Sequence, residues 1–325
     1  MSSPGSGSEA GPGSRKLRAT SAPPSGRQYE ISHGAHRATI VEVGGGVREY
    51  ERDGEPVLQP YDLQVMCDEA HGAVLIPWPN RLADGRYRFD GDEHQVALTE
   101  PDKHNAIHGF LRWRNWRAAT HDSSRVVMET RLHPLQGWPH TLDVSVEYVV
   151  GEEGLTAEIR ARNIGEGPCP IAAGQHPYLS PGDGALIDDC ELELRAATRI
   201  VTDPERQLPT GREPVEGTDY DFTTPRRLGD QQIDYAFTDL DRDGEGRAWA
   251  RLIRPDGRRV ELWVDQSFPI IEIFTADTLP PSRRRAGLGC EPMSCPPNGL
   301  ATGEGIVRLE PGEAFTCRWG VRMVG

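Results

Sequence analysis

Between Leu142 and Arg162 the chain alternates with a period of two, a pattern that no helix can satisfy. Leu142, Val144, Val146 and Tyr148 fall on one side, with Asp143, Ser145 and Glu147 on the other. After Gly151-Glu152-Glu153-Gly154, the residues Leu155, Ala157, Ile159 and Ala161 alternate against Thr156, Glu158, Arg160 and Arg162. Such alternation is that of a strand with one buried and one solvated face, and two such runs joined by a glycine-bounded turn make a hairpin. The stretches RRVELWVDQ, IIEIFTAD and AFTCRWGVRM repeat the style, and 36 glycines with 27 prolines supply the turns that short strands need. No amphipathic helix longer than a few turns stands out, nor a repeat of roughly 20–50 residues. The expected fold class is all-β, a large antiparallel β-sandwich forming one domain over residues 28–325. Residues 1–27, rich in Ser, Gly and Pro with little to bury, are expected to be a disordered tail.

Charge and cysteine content narrow the function classes. The 325 residues carry a formal charge of −14, from 36 basic against 50 acidic side chains. The tail holds Arg15, Lys16, Arg18 and Arg27 against Glu9, so the remainder is more acidic still. A body of that sign repels phosphate backbones, and no nucleic-acid partner is expected. No run approaches the ~18 consecutive apolar residues of a membrane span. The N-terminus lacks the apolar stretch of a secretory signal, so a cytoplasmic protein with no membrane partner is expected. Cys67, Cys169, Cys190, Cys290, Cys295 and Cys317 show no C-x-x-C spacing. That spacing speaks against a disulfide framework or zinc ribbon and for reduced, mostly buried thiols. Gly11-Pro12-Gly13 is no phosphate loop, because no strand precedes it and no helix follows.

Polar groups stand in several places where a strand would take apolar ones. In IPWPNRLADGRYRFDG, Pro77, Pro79 and Asn80 stop a strand at Ile76 and bring Arg81 out on a loop, ahead of a hairpin. HNAIHGFLRWRNW holds His104 and His108, then Trp113 and Trp116. AAGQHPYL sets His176 before Pro177, which restricts the histidine backbone to extended values and so fixes where its ring points. QQIDYAFTDL carries Asp234 just before a strand-like run, and GCEPMSCPPNG wedges Glu291 between Cys290 and Pro292. Each has an ordinary reading when taken alone. His104 and His108 as metal ligands lack a third partner, and His176 would serve as a hydrogen-bonded structural group. Arg81 and Asp234 would be surface charges, Glu291 an ion-pair partner, and the two tryptophans core.

Taken together, these groups sit on loops shaped by proline and glycine and carried by a rigid scaffold, where binding and catalytic groups collect. They offer one carboxylate base with an ordinary pKa of about 4.3 and an imidazole acid of about 6.5. No Ser-His-Asp order or nucleophile elbow is present for acyl transfer. A carboxylate and an imidazole, without a nucleophile or metal cluster, suit proton transfer on a neutral polar substrate. Sugars are such substrates, and Trp78, Trp113 and Trp116 would offer flat faces to them. No cofactor is expected.

In that order, Asn80-Arg81 followed by DGRYRFDG, IHGF at His108, HPYL at His176, Asp234 before its apolar strand and EPMSCPPN at Glu291 resemble the aldose 1-epimerase (galactose mutarotase) family. Trp113 and Trp116 after the HGF triplet make the resemblance a bacterial-type one. It implies a galactose mutarotase-like supersandwich with an open sugar cleft. It also implies interconversion of the α and β anomers of a free hexose, without cofactor, by a monomer or homodimer. By position, Glu291 corresponds to the general base at the anomeric hydroxyl and His176 to the general acid at the ring oxygen. His108, Arg81 and Asp234 correspond to groups that hold the sugar. Leu179 and Ser180 replace the aromatic residue and Asn that many members carry after HPY, so substrate preference is not inherited. Two other readings use the same residues: a non-catalytic carbohydrate-binding or regulatory sandwich, and a glycoside hydrolase with Asp234 and Glu291 as its carboxyl pair.

Overall fold

The computed structural model describes residues 22–325. Among them the strands form two large antiparallel sheets, of twelve and nine strands, beside three two-stranded ribbons and one α-helical turn, Gly299–Thr302. No helix among the described residues is long and apolar enough to cross a membrane.

The hairpin expected from alternation is present. Leu142–Gly151 pairs with Gly154–Asn163 in register from Leu142↔Asn163 to Gly151↔Gly154, and burial alternates residue by residue along the first strand. In the nine-stranded sheet the C-terminal strand Ala314–Val324 lies between Gly154–Asn163 and Arg259–Val264. DGRYRFDG folds as expected too. Arg86–Phe89 pairs with Asp92–Gln95 around Asp90-Gly91, both with positive φ as a tight hairpin turn requires.

The apolar faces of the two sheets share one continuous core. Ile40, Tyr50, Ile273 and Cys290 from the larger sheet belong to it together with Val146, Ile159, Leu262 and Trp319 from the smaller. All six cysteines are buried and outside any disulfide. The tail expected over residues 1–27 lies, for residues 1–21, outside the described residues. Residues 22–27 dock on the sheet ahead of Gln28: Ser25 is buried and its carbonyl accepts the Val43 N–H.

The middle of the twelve-stranded sheet departs from simple alternation. Ile270–Phe274 and Leu288–Met293 lie side by side there, flanked by Asp234–Leu240, and are buried on both faces. Ile271, Ile273, Leu288 and Cys290 enter the main core. The opposite face carries a separate apolar patch of Ile200, Ala236, Ile270 and Met293. By the two-residue period, Asp234, Glu272 and Glu291 project on that second face.

The two sheets are also joined by a buried amide. Gln175 Nε2 donates to the Tyr148 hydroxyl (2.7 Å) and the Gly72 carbonyl (3.1 Å), while its Oε1 accepts from Trp319 Nε1 (2.9 Å). The Tyr148 hydroxyl passes its own proton to the Gly45 carbonyl at 2.8 Å. Gln175 is fully buried, and every polar atom of its amide is satisfied. Gln175→Met keeps the length of the side chain but strands the buried Trp319 Nε1–H and leaves the Gly72 carbonyl only its bond from the Val47 N–H. It is expected to cost about 2–4 kcal/mol of unfolding free energy in urea titrations with an unchanged m value. A loss below about 1 kcal/mol would show that the amide does not join the sheets energetically.

Candidate active site

On the second face of the large sheet lies a cavity of about 540 Å³. Arg81, His108, His176, Asp234 and Glu291 all line it, so residues spread over more than two hundred positions of sequence meet in one place. Three of them reach it differently from the loop presentation expected. Glu291 lies within the strand Leu288–Met293, and Asp234 opens the strand Asp234–Leu240. Arg81 heads the short strand Arg81–Ala83, paired with Asn105–Ile107. Because both faces of the central strands are covered, a strand can aim a polar side chain into a cavity while its neighbours stay in the core.

His176 and Glu291 form the centre of the site. His176 Nε2 lies 3.0 Å from Glu291 Oε1, and both side chains are buried. Tyr178 stacks on the His176 ring at 5.0 Å between centroids and 12° between planes, and His71 stacks on the far side of Tyr178 at 4.3 Å. Glu291 Oε2 and His176 Nδ1 have no protein partner. Burial, and secondarily the nearby His71, pulls the His176 pKa down to about 3. Burial together with the Asp234 carboxylate pushes Glu291 well above the usual carboxyl range, opposed by Arg81. Both shifts disfavour a net charge on the pair, so the buried pair carries one proton between its two heads.

His108 sits 5.3 Å from His176, ring centre to ring centre, in an edge-on arrangement. Its tautomer follows from local backbone geometry. Asn80 and His108 both adopt left-handed φ values of 57° and 62°. They bond reciprocally: His108 N–H donates to the Asn80 carbonyl (3.0 Å), and Asn80 N–H donates to His108 Nδ1 (3.1 Å). A ring nitrogen that accepts a backbone N–H carries no proton, so in the neutral ring the proton is on Nε2. Burial, with His176 and Arg112 nearby, holds the ring neutral by lowering its pKa well below the ordinary value.

Arg81 is fixed by groups that the sequence did not single out. Its Nε and Nη2 donate to the two carboxylate oxygens of Glu100 at 2.9 and 3.2 Å, and Nη1 faces Asp234 Oδ2 at 3.9 Å. Lys103 braces Glu100 at 3.0 Å, and Gln207 bridges Lys103 to Asp234. Glu100, Lys103 and Gln207 also line the cavity. Their only local signal was polarity in turn-rich stretches, which many surface loops share.

One alternative is removed and one expectation is corrected. His104 does not join His108: it ends the turn Pro101–Lys103 with a left-handed φ, is exposed, and bonds Asp84 at 2.7 Å. Of the three tryptophans proposed as sugar platforms only Trp113 lines the cavity, 45% exposed and held by its Nε1–H on the Cys67 carbonyl (3.1 Å). Trp78 and Trp116 are core, because each lies in a stretch that turns its large apolar face inward. The site does hold a metal-compatible donor set, in which ligand atoms of His108, His176 and Glu291 lie within 4.8 Å of one another. Two imidazoles and a carboxylate are donors that zinc accepts.

Comparison with known proteins places the chain in a family. The uncharacterized protein YihR of Escherichia coli K12 is 32% identical over 292 residues, covering 89% of this chain and 91% of its own. Human galactose mutarotase is 28% identical over 265 residues, covering 77% of this chain and 71% of its own. Among solved structures, the GalM/aldose epimerase homologue of C. elegans superposes with a TM-score of 0.80 at 19% identity, over 92% of this chain and 98% of that one. The family model for aldose 1-epimerase matches residues 27–321, almost the whole described length. The chain therefore belongs to the aldose 1-epimerase family of isomerases.

Proposed function

We propose that the protein interconverts the α and β anomers of a free hexose by general acid–base catalysis at the Glu291–His176 pair. The observation that carries this reading is the 3.0 Å contact between a buried imidazole and a buried carboxylate facing the cavity. Both pKa directions leave the shared proton on Glu291 at rest; its passage to His176 Nε2 makes Glu291 a carboxylate able to take the proton of the anomeric hydroxyl. His176 gives its proton to the ring oxygen, and the C1–O5 bond breaks to the open-chain aldehyde. Rotation about C1–C2 presents the other carbonyl face, and the reverse transfers close the ring as the other anomer. Protons balance, because ring opening moves one proton from the sugar to Glu291 and one from His176 to the sugar, and ring closure returns both.

The remaining groups suit binding. His108 offers its Nε2–H, Arg81 its Nη1, and Asp234 accepts hydroxyl protons. A pure binding module would have no use for a desolvated acid–base pair, whose burial is costly. A glycosidase would pair Glu291 with a second carboxyl at the bond to be cleaved, whereas here its direct partner is an imidazole.

Three outcomes test the proposal. Glu291→Gln keeps size and most hydrogen bonds but removes the proton acceptor. Polarimetry of freshly dissolved α-D-glucose or α-D-galactose should show kcat lowered by roughly 10²–10⁴, with KM changed far less. His176→Asn should do similar damage and the double variant little more. A near wild-type rate for Glu291→Gln on a sugar that the wild type accepts removes the mechanism.

The pH profile of kcat/KM reports the pair as a whole. A second proton makes the buried pair cationic and loss of the last one makes it anionic, so burial favours the single-proton state from both sides. The acid limb should therefore fall below the ordinary imidazole value of about 6.5, in keeping with the lowered His176. An acid limb at or above that value would mean that the pair is solvated.

The transfers need no Lewis acid, so dialysis against a chelator should leave anomer interconversion unchanged. Loss of rate that added zinc restores would instead assign the His108–His176–Glu291 donor set to a working metal.

A further inference from the structure

One buried acid beside the site has no part in the proton transfers described. Glu272 is 3% exposed, at the middle of the strand Ile270–Phe274, and pairs directly with Glu291 on the neighbouring strand. Residues directly opposite in an antiparallel pair project on the same face, with Cβ atoms ~4.5–5.5 Å apart. From the strand on its other edge Asp234 comes into hydrogen-bond contact with Glu272, while Glu272 Oε2 has no protein partner. The charged groups around it are thus two carboxyls from the two adjacent strands, and Arg81 from the covering segment. Arg81 already gives Nε and Nη2 to Glu100, and its Nη1 is directed to Asp234. Among the described residues no cation pairs with Glu272.

Two carboxyl groups in hydrogen-bond contact require a proton between them, since carboxylate oxygens only accept. Asp234 has Gln207 donating to it and Arg81 facing it, so Asp234 is the stabilised anion of the two. An unpaired anion buried as deeply as Glu272 would be costly. We infer that Glu272 is held as a neutral carboxylic acid which donates to Asp234, and that it is a positioning residue: it fixes the Asp234 carboxylate toward the cavity and spares Glu291 a second buried anion at its side. Burial, followed by the Asp234 and Glu291 charges, raises the Glu272 pKa well above the carboxyl range against the single opposing Arg81, in agreement. The catalytic consequence rests on the mutarotase reading; the protonation state does not.

The test separates the two. Infrared difference spectra at neutral pH, taken on the full chain carrying Glu291→Gln to remove the other buried glutamate, should show a carboxylic C=O band that disappears when Glu272→Gln is added. Absence of that band makes Glu272 an anion and overturns the inference, whatever the enzyme does. For catalysis, with Glu291 intact, Glu272→Leu removes the donor and should lower kcat/KM by about ten- to a hundredfold, mainly through KM. Glu272→Gln keeps an N–H donor to Asp234 and should recover most of that loss. Equal damage by Gln and Leu, or none by Leu in a folded protein, shows that Glu272 does not position Asp234. If Leu does not fold, the band and the Glu272→Gln kinetics still decide. If the wild type converts no aldose while the band is present, the functional reading fails and the protonation inference stands.

Discussion

The buried amide of Gln175 is the point on which sheet packing and site geometry both depend. One side of it is held by Tyr148 and Trp319 of the nine-stranded sheet, the other by the Gly72 carbonyl of the covering segment. The next residue is His176. In an extended segment consecutive side chains point in opposite directions, so anchoring Gln175 in the core aims His176 at the cavity. Pro177 removes the backbone freedom that would let the ring turn away. An imidazole that must meet a carboxylate to within a few tenths of an ångström is thus positioned by packing on the far side of the sheet.

Charge economy shapes the rest of the site. Asp234, Glu272, Glu291 and Glu100 crowd one region, with Arg81 and Lys103 as the cations among them. Full ionisation would leave buried anions uncompensated, and the low effective dielectric amplifies that repulsion. The structure relieves it by assigning the cations to Glu100 and Asp234, which are partly solvated. The fully buried Glu272 and Glu291 are left where a proton can be retained. In the proposed reaction, a carboxylate that keeps proton affinity in this way would suit the abstraction of a weakly acidic hydroxyl proton better than an exposed one.

How much was legible in the sequence follows from which faces meet solvent. Strands 142–151 and 154–163 have one wet face, and their alternation gave both strands and the hairpin that joins them. Strands 270–274 and 288–293 have none, so IIEIFTAD reads as one more alternating strand although both its faces are buried, and Glu291 was taken for a loop residue between Cys290 and Pro292. Glu272 passed unnoticed for the same reason: one acid within an apolar strand carries no periodic signal. His108, His176, Arg81, Asp234 and Glu291 were found because their neighbours are unusual for strands. Glu100, Lys103 and Gln207 were not, since what makes them part of the site is a fold that brings 100–103 and 203–208 over the same sheet face. His104 shows the converse, because a spacing of four residues places two histidines together only in a helix, and here a left-handed turn separates them.

This division also separates what fixes the chemistry from what can vary. Glu291, Glu272 and Asp234 stand on paired strands, where a change of direction would break ladder hydrogen bonds on both sides. Lys103, Gln207, Trp113 and Thr99, which line the same cavity, stand on covering segments tied down by a few side-chain contacts. Loops of this kind tolerate substitution and change of length far better than central strands do. Leu179 and Ser180 fit the same division: both are buried and paired near the edge of the site, Leu179 to Leu288 and Leu58 and Ser180 through its backbone to Val57, so they shape packing rather than face the cavity. On the proposed reading, substrate choice would reside in the covering segments, and the Glu291–His176 pair beneath them could remain the same while the sugar changes.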